Sequence, residues 1–161
     1  PVILYNQFIN IVKAGLQMEF KEYTAKDAAV ADGYTIRYLV FCQEDGFTQD
    51  EEFDERDATA IHIVGYVGNK PVSNVRLVQE SVGLWHLGRL CVLKEERGKG
   101  YGRATLTFAM EKCRKLMGQR IILGAKTEKK SFYEKHGFVT YGEEFSEGGI
   151  PHIMMKKDIE D

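Results

Sequence analysis

No charge of one sign dominates this chain, no long apolar run crosses it, and its few cysteines do not match up. Twenty-two Lys and Arg face 24 Asp and Glu, a formal net charge of −2 over 161 residues. Such a balance supplies no field to draw the chain to nucleic acid or to a membrane surface. No stretch approaches the ~20 apolar residues of a membrane span, and there is no repeat or low-complexity segment. The three cysteines, Cys42, Cys91 and Cys113, have no CxxC spacing and cannot all pair. This argues against a disulfide framework or a zinc site and suits a reducing, cytosolic compartment. With 43% hydrophobic residues, the chain is long enough for one well-filled core and short for two. One domain is expected over residues 18–161. Residues 1–17 carry Phe8, Ile11, Val12 and Leu16 at helical spacing but no basic n-region or cleavage site, and are set aside as an extension or a cloning remnant.

Periodicity gives a mixed order of elements. Residues 19–23 read as a strand, and Thr24 with Asp27 as a capping-box-like start of a helix to Phe41. Residues 60–67 and 72–79 flank the Gly68-Asn69 turn of a hairpin, and 85–93 form the next strand. From Gly100 a helix is expected through Leu106, Ala109, Met110, Cys113, Leu116 and Met117, ended by Gly118. A strand over 120–125, a short helix over 129–136 and a hairpin of 139–145 with 150–157 complete the chain. The fold class is therefore α/β, a mixed sheet with helices on its faces.

The most informative segment is KEERGKGYG, residues 94–102, between the strand 85–93 and the helix that follows it. A strand leading through a Gly-rich turn into a helix presents unpaired N–H groups and a positive dipole end to an anion. Arg97 and Lys99 add charge, while Gly98, Gly100 and Gly102 let a phosphate approach the backbone. A P-loop is excluded, because Leu93 and Gly100 stand where it needs a Gly and a Ser or Thr. A dinucleotide fingerprint fails at Arg103, which takes the place of its third Gly.

The segment from Arg97 to Gly102 instead resembles the acetyl-CoA motif of the Gcn5-related N-acetyltransferase (GNAT) superfamily: Arg or Gln, two residues, Gly, one residue, Gly or Ala. SFYEKHGF, residues 131–138, resembles that superfamily's late helix. FCQEDGFTQDEEFDERDATAIH (41–62) and GGIPHIMM (148–155) are similar to its ElaA/YjcF-type subgroup. The resemblance implies a mostly antiparallel twisted sheet with one splayed parallel strand pair. It also implies acetyl-CoA as cosubstrate, a primary amine as acceptor and no metal. Cofactor contacts then fall to the main chain of Leu90, Cys91 and Val92, to Arg97, Gly98, Lys99, Gly100, Tyr101, Gly102 and Arg103, and to Phe132 and Tyr133. Thr127 stands nearest the place of the usual pantetheine-binding Asn. Tyr133 takes the place of the Tyr beside the CoA sulfur. A phenol pKa of about 10, slightly above the roughly 8.5 of a thiol, leaves it un-ionised and so with a proton to donate to the nascent thiolate. Members of the superfamily are often dimers, and Trp85 with the C-terminal hairpin offers a surface for one.

A general base is not singled out: Glu44, His62, His86, Glu144 and His152 are all candidates. Residues 50–57 hold six carboxylates and are read either as a lip attracting a cationic amine or as a solvated loop. An EF-hand fails there, since Arg56 and Ile61 occupy required ligand positions. Covalent catalysis by Cys91 is set aside, because nothing places a base beside it. Two rivals to the enzyme remain, a non-catalytic acyl-CoA sensor and an interaction module built on the acidic segment.

Overall fold

Seven stretches rich in β-branched and aromatic residues form a single sheet in the computed structural model, which describes residues 17–159. The helical spacing read at Phe8, Ile11, Val12 and Leu16 lies outside the described residues. The strands are β1 (Glu19–Tyr23), β2 (Ile61–Val67), β3 (Lys70–Ser81), β4 (Leu84–Val92), β5 (Arg120–Lys126), β6 (Val139–Glu147) and β7 (Ile150–Asp158), in the order β1-β2-β3-β4-β5-β7-β6. Every neighbouring pair is antiparallel except β4 with β5. This is the GNAT-type arrangement expected.

The sheet is covered on both faces, so β2 reads as a nearly continuous buried run. Successive side chains of a strand point to opposite faces, and Ile63 and Val64 accordingly belong to different cores. Ile63 joins Phe20, Leu77 and Leu87 beneath α3 (Tyr101–Lys115), whose Leu106, Phe108, Ala109 and Cys113 fill that side. Phe20 stacks on Phe108 with ring centroids 4.6 Å apart. Val64 packs with Ile36 and Val40, carried by α1 (Val30–Arg37) and the π-helix that continues it. Trp85 is 6% exposed in the α3-side core, so it supplies no dimer surface. Among the described residues no helix is long and apolar enough to cross a membrane.

Three local features differ from the sequence expectation. Asp27 accepts hydrogen bonds from the Thr24 amide (2.7 Å) and hydroxyl (3.0 Å), but this contact closes a turn and α1 starts only at Val30. Beyond Arg37 the backbone widens into a π-helix, Tyr38–Glu44, which carries the chain past Phe41. At the end of α3 the left-handed residue is Met117, φ +59°, while the Gly118 amide bonds back to the Cys113 carbonyl at 2.9 Å. Gly is needed at 118 for closeness: a Cβ there would stand 2.8 Å from that carbonyl.

The remaining elements, α2 (Gln49–Glu52) and α4 (Lys130–Glu134), lie in the connections before β2 and after β5. A bulge sets the direction of β4. Its pairing with β3 shifts between Asn74 and Arg76, where Arg89 takes φ +55°, and the Asn74 amide donates to the Arg89 carbonyl at 3.0 Å. Bulges bend a strand and raise its twist, and this one lies in the part of β4 that leaves β5.

Candidate active site

β4 and β5 share only the rungs Leu84–Arg120, Trp85–Ile121 and His86–Ile122. Past them β4 stays with β3 and β5 with β7, and the sheet opens into a cleft of about 930 Å³. Leu90, Cys91 and Val92 line one wall; Leu123, Gly124 and Lys126 line the other.

The Gly-rich loop closes one end of this cleft. Gly98 (φ +79°) and Gly100 (φ +85°) hold left-handed conformations that an L side chain resists, and Gly100 is the N-cap of α3. No side chain caps that helix, which leaves its first amides open to a ligand. Gly98, Gly100, Tyr101, Gly102 and Arg103 all face the cleft. Arg97 also lines it, yet its guanidinium is engaged: Nε donates to the Val92 carbonyl at 3.1 Å, and the terminal nitrogens donate to both Glu44 oxygens at 2.6 and 2.9 Å. Lys99 is turned onto Glu96 at 2.8 Å, outside the cleft lining. Lys129, unremarked in the sequence, lines the cleft.

Also in the cleft lining, α4 places Phe132 and Tyr133 against the core, their rings 5.1 Å apart and edge to face. Tyr133 also meets Phe138 edge to face. Burial, followed by the nearby Cys91, pushes its phenol pKa well above the ordinary value, so the hydroxyl stays protonated. Burial raises the Cys91 thiol strongly as well, which keeps it an unreactive thiol.

The profile of the acetyltransferase (GNAT) domain matches residues 39–159. The chain belongs to the GNAT acetyltransferase family. YjcF of Bacillus subtilis (strain 168), an uncharacterised N-acetyltransferase, is 40% identical over 129 residues, which make up 79% of this chain and 91% of YjcF. The crystal structure of Escherichia coli ElaA has the same fold, with a TM-score of 0.78 at 23% identity over 88% of this chain and 99% of that one. A GNAT family acetyltransferase from Elizabethkingia anophelis, solved with acetyl-CoA bound, has a TM-score of 0.69 at 14% identity over 88% of this chain and 98% of its own.

In this GNAT chain the acidic segment is divided: Asp50, Glu51 and Glu55 are exposed, while Glu52 and Asp57 are buried. Thr48 and Asp54 each cap a short helix through reciprocal bonds with Glu51 and Asp57. Glu52 and Asp57 turn inward onto Arg37, whose side chain is wholly buried. Arg37 Nε donates to Glu52 at 2.8 Å, and its terminal nitrogens donate to Asp57 at 2.8 and 3.1 Å. Arg76 bonds Asp54 and Asp57, and Arg89 bonds Asp54 and the Glu52 carbonyl. Burial alone would push the Asp57 carboxyl up; Arg37 and then Arg76 outweigh it and hold it down at about 2. Arg76 and Arg89 line the cleft, so this network forms its rigid far wall.

The candidate bases separate accordingly. His62 is fully buried under Tyr34 with Nε2 on the Asp57 carbonyl at 2.9 Å, away from the cleft. Glu44 is held below the usual carboxylate range by its hydrogen bonds from Arg97, which suits an ion pair better than a base. Glu144 accepts from the Thr127 hydroxyl at 3.1 Å; neither residue lines the cleft, so Thr127 is not placed as a pantetheine contact. His152 lines the cleft, stacked on Phe145, with Nδ1 on the Ile150 carbonyl at 2.7 Å. His86 sits at the last parallel rung, where the strands part. Its Nδ1 is 2.9 Å from Glu80 Oε1, and Arg56 braces the same carboxylate. Burial lowers its pKa, and Glu80 opposes that shift. No spacing in the sequence linked Glu80, His86 and Arg56, nor Arg37 to acids 15 and 20 residues away.

Proposed function

We propose that the chain is a cytosolic N-acetyltransferase that transfers acetyl from acetyl-CoA to a primary amine of a small molecule by direct attack. The observation that carries this reading is the splay of β4 and β5, with an uncapped helix and its Gly-rich loop at one end and Tyr133 in the same lining. The acetyl-CoA-bound Elizabethkingia anophelis enzyme of the same fold supports it. The loop amides take the pyrophosphate, and Arg103 and Lys129, cleft-facing cations that form no ion pair among the described residues, supply charge beside them. Main-chain groups of Leu90, Cys91 and Val92 guide the pantetheine and polarise the thioester.

Two side chains move protons. With His86 Nδ1–H turned to Glu80 at 2.9 Å, the shorter of its two contacts, against 3.2 Å from Arg56 Nη1, the Nε2 lone pair is left to take a proton from the attacking amine. The lowered pKa keeps that ring neutral at pH 7. Tyr133 then gives its proton to the departing thiolate.

Calorimetric titration with acetyl-CoA and CoA, followed by a radiolabelled acetyl-transfer screen over primary amines, tests this. Micromolar binding is expected, with turnover on at least one amine. His86→Gln and Tyr133→Phe should each cut kcat by about 10²–10⁴ while leaving CoA affinity intact. Tight CoA binding with no transfer to any amine would convert the reading to an acyl-CoA sensor.

A further inference from the structure

Residues 44–48, which leave the π-helix, touch three separate walls of the cleft. Glu44 holds Arg97, beyond the tip of β4, through both carboxylate oxygens. Asp45, the next residue, holds Lys126 at the end of β5. Phe47 lies on the β6–β7 turn so closely that a Cβ on Gly148 would stand 2.2 Å from its ring. Neighbouring carboxylates therefore tie down opposite lips of the splay. Between them and Phe47, Gly46 turns at φ +83° with open space around its Cβ position. The preceding π-helix is a form that concentrates at functional sites.

We propose that residues 44–48 are a strap across the cleft, latched by Glu44–Arg97 and Asp45–Lys126, and that cofactor binding releases the first latch by drawing Arg97 from Glu44 to phosphate. The coupling rests on the acetyl-CoA reading. A phosphate accepts the same two-pronged guanidinium contact as a carboxylate, and beside the loop amides it brings more negative charge. Glu44, freed next to that charge, is repelled by it.

Both ion pairs are partly exposed, so conservative variants should fold; thermal melts check this. Hydrogen exchange of residues 38–48, read by mass spectrometry, is compared for the intact protein with and without CoA and for Glu44→Gln and Asp45→Asn. CoA should speed exchange at 44–48, and each variant should speed it without cofactor. Glu44→Gln should also bind CoA about two- to fivefold more tightly, the scale of one surface ion pair removed from competition. Exchange that slows or stays the same with CoA, or weaker CoA binding by Glu44→Gln, overturns the proposal and makes Glu44 a positioning residue for Arg97. If the intact protein binds no CoA, the acetyltransferase reading and the coupling fall together. Exchange in the cofactor-free variants still decides whether the two pairs are latches.

Discussion

Both ends of the cleft are built with cations, but they use them in opposite ways. At the far wall Arg37, Arg76 and Arg89 face Glu52, Asp54 and Asp57, charge for charge, and Arg37 is wholly buried. At the loop end Arg103 and Lys129 reach the cleft with no acid paired to them among the described residues. The first set has its donors committed inside the protein, where desolvation makes any unpaired member costly. The second keeps its charge available for an anion. In these two sets a cation's partner, more than its presence in a cleft, decides whether it supports the wall or meets the ligand.

The contrast can be broken most severely at the wall. Arg37→Ala takes a buried hydrogen-bonded partner from two buried carboxylates, Glu52 and Asp57, and should cost about 3–5 kcal/mol in urea denaturation. Acid attacks the same wall more gently. Asp57 has its carboxyl lowered from 3.8 to about 2, so its contribution is fully present above about pH 4 and is lost as pH falls towards 2. The loss amounts to roughly 2 kcal/mol, visible as a falling urea midpoint that Asp57→Asn flattens. At the loop, Gly100→Val imposes a side chain on φ +85° and should cost about 1–2 kcal/mol of stability, with a larger loss of CoA affinity by calorimetry. Smallest in stability is Arg103→Ala with Lys129→Ala, expected within about 0.5 kcal/mol of the parent. That pair should weaken CoA binding at low salt and lose its effect at high salt, where an ordinary Debye length shrinks to about 3 Å.

What could be read from the sequence follows how local each feature is. The Gly68-Asn69 and Gly148-Gly149 hairpins and the core face of α3 depend on neighbours a few residues apart, and their patterns show directly. The loop was legible because its glycines fix backbone conformation by themselves. The buried pair of the acidic segment, Glu52 and Asp57, was not legible, because its meaning lies in Arg37 and Arg76, which the fold brings from another helix and another strand. His62 looked like a cleft residue and is a buried one for the same reason. The π-helix has no signature in apolar spacing, since Tyr38–Glu44 continues the run that begins in α1.

The three parallel rungs between β4 and β5 carry a consequence for the order of folding. All other neighbours in the sheet are antiparallel, joining β1 to β4 as one set and β5 to β7 as another. Parallel pairing that spans a whole helix closes a long loop and forms late. The seam between the two sets should therefore be the last part of the sheet to acquire protected amides during refolding. It is also the mouth of the cleft, so the site is completed only when the two sets of strands have met.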